Sequence, residues 1–347
     1  MQKQGNKYGT HRVIEPKGVL PQPANKIDNN MDEIWDNEIL IDVITLNIDS
    51  ASFTDIKERA GHDQAKIAEI MMDIVAKQGK HRNPWTGSGG MLLGKVAKIG
   101  DALAGKTDLK VGDKIATLVS LSLTPLRIDK IKEMRLEVDQ VDIDGKAILF
   151  ESGIYAKIPA DMSEKLALSA LDVAGAPAQT AKLCKPGDIV LIIGAGGKSG
   201  MLCCYEAKKR VGITGKVIGM THSAKSTERL QKLGFCDHVF AGTATNPVET
   251  MEKFAEFTGG EMADVTINNV NIPDTEMTSI LCTKDTGLVY FFSMATSFTK
   301  AALGAEGVGS DVTMIVGNGY TKGHAEITLQ LLRESKELRN IFEELYA

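Results

Sequence analysis

The second half of the chain alternates short apolar runs with amphipathic stretches in a regular order. Asp188–Ile193 is a β-branched run without polar alternation, the pattern of a strand covered on both faces. A helix is predicted from about Lys198 to Arg210, then a strand over Lys216–Thr221 and a helix over Ala224–Leu233, stopped by Gly234. The rhythm continues with a strand at His238–Phe240, a helix over Val248–Phe257 and a strand at Asp264–Asn268. A helix near Thr275–Leu281 and strands at Gly287–Phe292 and Val312–Val316 complete it. Strands separated by helices of this length imply right-handed crossovers and a doubly wound parallel sheet, an α/β fold.

The first half reads differently. Glu38–Leu46, Lys95–Ile99 and Asp113–Ala116 are strand-like, and Val111-Gly112-Asp113 and Gly153–Pro159 read as turns between strands. Between them, Thr54–Gln78 has Ile67, Ile70, Met71, Ile74 and Val75 at helical spacing and is predicted as one helix. A β-rich domain with a helical insertion (residues 1–170) is therefore expected before a dinucleotide-type domain (residues 171–347), the boundary falling within 165–180.

A chain of 347 residues is long enough for two buried cores. The net charge of −5 argues against nucleic acid or an anionic membrane surface as partner, because phosphates call for clustered Lys and Arg. The start, MQKQGNKYGTHRVIEPKG, has no apolar core for a signal peptide, and no stretch is long enough to cross a bilayer. Five irregularly spaced cysteines point to reduced thiols, with the cytoplasm as the expected compartment.

Directly after the Asp188–Ile193 run stands Gly194-Ala195-Gly196-Gly197-Lys198-Ser199-Gly200, and then a helix. Glycines let the backbone approach a pyrophosphate, and the unpaired N–H groups of a helix start meet its charge. The strict G-x-G-x-x-G spacing fails at Ser199, while G-x-x-G-x-x-G is met by Gly194, Gly197 and Gly200. A triphosphate loop is excluded because its first glycine would fall on Ile192. Tyr205 and Lys209 have the Tyr-x-x-x-Lys spacing of another dehydrogenase class, but they lie on the helix after the turn, where a packed Tyr and a surface Lys are expected.

Binding NAD usually places an acid at the end of the second strand. Here that position reads Thr221-His222-Ser223, followed by Lys225 and Arg229, which would tolerate the extra phosphate of NADP. A solvated loop and helix explains the same residues, so the choice between NAD and NADP stays open. Asn269 and Ser293 end strands at the edge where ligands bind, although adjacent Asn268 and Asn269 can also close a turn.

Gly94–Gly100 followed by Val111–Ile115, and Ile158-Pro159 through Ala181 into Lys185-Pro186-Gly187-Asp188, resemble the medium-chain dehydrogenase/reductase family over about residues 35–320. The resemblance implies a GroES-like β domain beside a Rossmann domain, with the reaction in the cleft between them. The departures concern zinc. Gly89-Gly90-Met91 stands where zinc-dependent members keep Gly-His-Glu, and Val173 where they keep a cysteine-type ligand. The first ligand region, Ser52-Phe53-Thr54-Asp55, also lacks cysteine, so no catalytic zinc is expected.

More narrowly, GTHRVIEPKGVLPQPA, HRNPWTGSGGMLLG, VLIIGAGGKSG and NNVNIPDTEM resemble a zinc-independent family of diamino acid dehydrogenases from anaerobic lysine fermentation. That resemblance implies oxidative deamination of 3,5-diaminohexanoate to 5-amino-3-oxohexanoate and ammonium, with NAD (or NADP) as cofactor. Relatives of the wider family suggest a homodimer. A quinone or enoyl-thioester reductase of the same fold is the alternative, and a non-catalytic dinucleotide-binding protein is a second.

Deamination requires a general base, acids that face the two ammonium groups, and donors for the substrate carboxylate. Asp172 adjoins the vanished metal-ligand position and is the first candidate base, with a helix-end acid as its plain alternative. Asp49 and Glu151 are further catalytic candidates, and Asp55 and Glu58 further acids. Arg82, beside the Pro84-Trp85 turn, could bind carboxylate or simply be exposed, and His81 could be a base or an ordinary loop histidine.

Overall fold

The computed structural model describes residues 3–317 and 319–347. The chain forms two compact units, Met1–Asp172 with Tyr346–Ala347, and Val173–Leu345.

The first unit opens with a two-stranded ribbon, β1 (Val13–Glu15) and β2 (Lys26–Ile27). Next come β3 (Glu38–Asn47), α1 (Ser50–Arg59), α2 (Gln64–Gln78), β4 (Met91–Ile99) and β5 (Lys114–Thr117). The hairpin β6 (Leu126–Arg135) and β7 (Gln140–Phe150), then β8 (Tyr155–Lys157) and α3 (Glu164–Leu171), complete it. Its main sheet has the order β6-β7-β3-β4-β5-β8, with antiparallel pairings throughout. Ile39, Ile41, Leu46, Phe53 and Ile56 are among its core residues. The single helix predicted over 54–78 is in fact two. Gly61 and His62 take left-handed φ of 61° and 60°, and Asp63 restarts the helix by accepting from the N–H groups of Ala65 and Lys66.

A β-bulge sets the facing of the last residues of β3. The pairing of β3 shifts between Val43 and Thr45 against both neighbours: against β4 Ile44 is the extra residue, whereas against β7 the extra residue lies on β7, between Gly145 and Asp142. The bulge changes the phase of the strand. Leu46 then falls in the core, while Thr45 and Asn47 stand opposite Asp142 and Gln140 on β7.

The N-terminal segment is pinned by a buried ion pair. Arg12 donates from Nε and Nη2 to the two Glu38 oxygens at 2.8 and 2.7 Å and from Nη1 to the Asn30 carbonyl at 2.8 Å. His11 Nε2 lies 2.8 Å from Glu38 Oε1. Burial raises the Glu38 pKa, but these partners outweigh it and bring it down to about 2.

The second unit begins with α4 (Gly175–Leu183) and continues with β9 (Ile189–Ile193), α5 (Lys198–Val211), β10 (Lys216–Thr221) and α6 (Ala224–Leu233). After these come β11 (His238–Ala241), α7 (Pro247–Thr258), β12 (Ala263–Asn268), α8 (Glu276–Leu281) and β13 (Thr283–Phe291). It ends with α9 (Phe298–Val308), β14 (Thr313–Val316), α10 (His324–Glu334) and α11 (Lys336–Tyr346). All pairings are parallel, in the order β11-β10-β9-β12-β13-β14, the Rossmann order with its switch point between β9 and β12. Val190–Ile193 is fully buried, which explains the unbroken apolar run.

Candidate active site

In the second unit, the glycine turn leaves the sheet at the switch point. Gly194 has φ 79°, which lets its N–H and that of Ala195 converge on the Met220 carbonyl at 3.1 and 2.9 Å. At Gly200 a Cβ would lie 2.2 Å from the Gly194 oxygen, and at Gly196 one would lie 2.7 Å from Ser226 Cβ. Gly200 therefore does the close-packing work of a third glycine, one position beyond the strict motif. Gly197 is the N-cap of α5 and no side chain caps the helix, so the helix start faces a phosphate with backbone N–H groups. Lys198 and Ser199 are its first residues.

The end of β10 carries no acid. Thr221 is buried with its hydroxyl 2.5 Å from that of Thr227, and Ser223 caps α6 in a reciprocal box with Ser226. Both hydroxyls already have local partners, as expected for an ordinary helix start. His222 and Lys225 are exposed. Arg229 reaches back to donate from Nη2 to the Gly196 carbonyl at 2.8 Å, while its Nε is buried without a partner among the described residues. A cation therefore leans on the glycine turn itself.

Of the two asparagines after β12, Asn268 is internal. Its Nδ2 donates to the hydroxyls of Thr275 and Ser279, each at 2.9 Å. Asn269 is different, for its Nδ2 is buried with no acceptor among the described residues. Ser293, just past β13, donates to Asn271 Oδ1 at 3.2 Å. Glycine space, an uncapped helix start and an unsatisfied amide donor fit a dinucleotide. Tyr205 packs edge-on against Phe235, and Lys209 pairs with Glu206 and Glu334, so that spacing carries no chemistry.

In the first unit, the segments around Asn47, Gly89-Gly90 and Asp172 come together. Gly90 has φ 90°, and a Cβ there would lie 2.1 Å from the Asn47 oxygen and 2.7 Å from the Asp49 nitrogen. A Cβ at Gly89 would lie 2.3 Å from the His81 oxygen. Asn47 donates from Nδ2 to Asp172 Oδ1 at 3.0 Å, so the end of α3 meets the end of β3. Asp49 caps α1 by accepting from the Ser52 N–H with Oδ1 at 2.9 Å, and its Oδ2 is buried without a partner among the described residues. A buried carboxylate oxygen left in this way calls for a cation.

Two candidate acids fall elsewhere. Glu151 lies beyond β7 and accepts from Asn37 Nδ2 at 3.0 Å, next to the first residue of β3. Asn47 is the last residue of that strand, about 30 Å away at about 3.3 Å per residue. Glu151 is therefore withdrawn from the acid cluster. Asp55 is corrected as well, because both its oxygens accept from Arg59 Nε at 2.9 and 3.0 Å, and Asn83 donates to Oδ2. Arg59 stacks on Trp85 at 3.6 Å, so Asp55 serves the 83–88 turn rather than a ligand. Glu58 is exposed on α1. His81 is fully enclosed, and burial lowers its pKa to about 4, which makes it an uncharged core residue. Arg82 is half-buried, and its carbonyl accepts from Gln78 Nε2 at 3.0 Å.

Asn47 and Gln140 are the residues that sequence reasoning missed. The available signal was a polar residue ending the otherwise apolar EILIDVITLN run.

The comparisons agree with this architecture. The profile of the L-erythro-3,5-diaminohexanoate dehydrogenase N-terminal domain matches residues 11–159. The L-erythro-3,5-diaminohexanoate dehydrogenase of Acetoanaerobium sticklandii is 66% identical over 342 residues, and that of Fusobacterium nucleatum 64% over 344, each covering 99% of both chains. Among solved structures, the CurK enoyl reductase matches at TM-score 0.56 and 18% identity, over 89% of this chain and 87% of its own. An Escherichia coli quinone oxidoreductase complexed with NADPH matches at 0.53 and 18%, over 94% and 86%. These structural likenesses carry the fold, and the two sequence relatives carry the family. The chain belongs to the L-erythro-3,5-diaminohexanoate dehydrogenase family.

Proposed function

We propose that this protein oxidatively deaminates L-erythro-3,5-diaminohexanoate at C3. The products are 5-amino-3-oxohexanoate, ammonium, reduced nicotinamide dinucleotide and a proton, with one water consumed. The observation that carries this reading is Asp172, held by Asn47 two residues before the helix-capping acid Asp49, in a chain 66% identical to a dehydrogenase of that name.

A substrate with two ammonium groups and one carboxylate needs two anions and one cation. Asp172 takes the proton from the C3 ammonium, directly or through one water. It then holds its position against the iminium that develops at C3. Asp49 faces the distal ammonium with its unpartnered oxygen, and Arg82 takes the carboxylate. Bound at the Gly194–Gly200 turn, with Lys198, Ser199, Arg229, Asn269 and Ser293 as contacts, the dinucleotide supplies the hydride acceptor. With no acid at the end of β10, the turn takes NAD and admits NADP. Side chains rather than zinc manage the protons, since glycines and Val173 fill the matching positions.

The five cysteines are unpaired, in keeping with a cytoplasmic protein, and no helix among the described residues is long and apolar enough to cross a membrane. We propose a homodimer through the outer edge of β14, a reading supported by the exposure of Val316 there and of Phe298 and Leu303 on α9. No nucleic acid is expected as a partner. The deciding experiment follows reduced dinucleotide with L-erythro-3,5-diaminohexanoate, with and without chelator. Turnover that survives chelation supports the reading. Activity only with a quinone or enoyl thioester, or loss on chelation restored by zinc, overturns it.

A further inference from the structure

Behind Asp172, a row of polar side chains leads back to a guanidinium. Asn47 Nδ2 donates to Asp172 Oδ1 at 3.0 Å, and Asn47 Oδ1 accepts from Gln140 Nε2 at 3.3 Å. Gln140 Oε1 accepts from Arg135 Nη2 at 3.3 Å. Arg135 in turn donates from Nη1 and Nη2 to the two oxygens of Asp142, each at 2.6 Å, and Asp142 Oδ1 also accepts from the Thr45 hydroxyl at 2.6 Å. Asn47 and Gln140 are 2% and 1% exposed.

Two features separate this row from packing. Burying two primary amides is costly compared with apolar side chains of the same shape, so the row is expensive as filler. It also has a direction. An amide is nearly symmetric in shape, and either end of Asn47 could face Asp172. A guanidinium has only donors, so Arg135 fixes Gln140 with its oxygen outward and its Nε2 toward Asn47. Gln140 then fixes Asn47 with its oxygen back and its Nδ2 toward the carboxylate. Asp142 anchors the far end as an anion. Burial raises its pKa, and Arg135 and Thr45 more than offset that. The register shift between β3 and β7, with its extra residue on β7 between Gly145 and Asp142, makes the arrangement possible by setting Thr45 and Asn47 opposite Asp142 and Gln140.

We infer that Asn47 and Gln140 are positioning residues for Asp172, presenting an oriented donor that commits one carboxylate oxygen and sets its plane toward the substrate ammonium. The inference rests on Asp172 being the base of the proposed reaction. Its consequence is that the orientation of Asn47, and not merely its bulk, limits turnover.

The test compares Asn47→Ala, Gln140→Leu, Gln140→Glu and Asp172→Asn in the full-length enzyme. It measures kcat and KM for the diamino acid, dissociation constants for NADH and NADPH, and thermal midpoints. Asn47→Ala should lower kcat about 10- to 100-fold, the usual effect of removing an orienting partner, with dinucleotide affinity unchanged. The two Gln140 variants decide the direction. The Glu variant keeps the shape but would draw Asn47 Nδ2 back and turn its oxygen toward Asp172, so its kcat should fall below that of the Leu variant. A space-filling role predicts the reverse order. An inactive Asp172→Asn beside unaltered kcat in Asn47→Ala, or a Glu variant milder than the Leu variant, overturns the positioning role alone. A fully active Asp172→Asn overturns the base assignment and the positioning role together. Should Asn47→Ala fail to fold, the Gln140 pair carries the decision.

Discussion

Replacing Gly200 by alanine tests the glycine turn at its tightest point. The added methyl would sit 2.2 Å from the Gly194 oxygen and 2.7 Å from Ala195 Cα, both backbone atoms that cannot swing aside. Relief requires α5 to retreat from the end of β9 by about 1 Å, and overpacking of this kind costs about 1–3 kcal/mol. The same retreat moves the helix start away from the bound phosphates. If the cost falls on the binding-competent arrangement, dinucleotide affinity drops roughly 5- to 150-fold, at 1.4 kcal/mol per tenfold. Gly197→Ala is the companion variant. Its φ is −85°, and its Cβ would have only the Gly194 oxygen near it, at 3.4 Å. That methyl enters open space above the turn, so the protein should keep its thermal midpoint and yet bind the dinucleotide more weakly. Titration of NADH and NADPH by fluorescence, beside thermal melts, separates the two effects. A Gly200→Ala protein that binds within twofold of the parent and melts with it would refute the packing argument. Unchanged affinity in Gly197→Ala would remove the phosphate from the turn.

Three further outcomes are expected from the first unit and from the end of β10. Arg12→Leu strands the Glu38 carboxylate and should cost about 3–5 kcal/mol, seen as a lower melting temperature. In the parent, Glu38 has a folded pKa of about 2 against an ordinary 4.5, so its contribution of about 3 kcal/mol is present above pH 4.5 and is lost as pH falls toward 2. The variant should lose that slope, and superimposable pH–stability curves would contradict the ion-pair account. Gly90→Ala combines a φ of 90° with a Cβ 2.1 Å from the Asn47 oxygen, and should depress kcat while dinucleotide affinity stays at the parent value; normal turnover would separate Asn47 and Asp49 from the chemistry. Arg229→Ser should lower kcat/KM for NADP about tenfold further than for NAD, the scale of one charge-assisted bond, and equal losses would place the 2′-phosphate elsewhere.

From β9 to β14 the Rossmann unit was largely legible because most of its strands hold a short apolar run, although α4, α9, α10 and α11 were not predicted. Gly234 takes φ 67° where the sequence predicted a stop. The first unit was less legible for identifiable reasons. Helical spacing continues from α1 into α2, so the left-handed pair Gly61-His62 and the capping Asp63 read as helix interior. The β6–β7 hairpin is hidden because LRIDKIKEMR and QVDIDGKAILF carry charges in place of clean alternation, with ion pairs such as Arg135–Asp142 lying along the strands. Asp172 was picked out by family position, and the structure joins it to Asn47. Glu151 was picked out because its segment was expected near the cleft, and only the register of β3 reveals that Asn37 and Asn47 are a full strand apart. Asn47 was marked only as the polar end of the β3 run, and its pairing with Gln140 depends on a register shift that no local composition marks.

The left-handed glycine at position 90 also constrains where this scaffold can go next. Grafting a histidine there to install a zinc ligand would force any side chain into the carbonyl of Asn47, so a point substitution at this position cannot supply a metal ligand without moving the backbone. Engineers who want a ligand there must re-thread the loop between His81 and Met91 first.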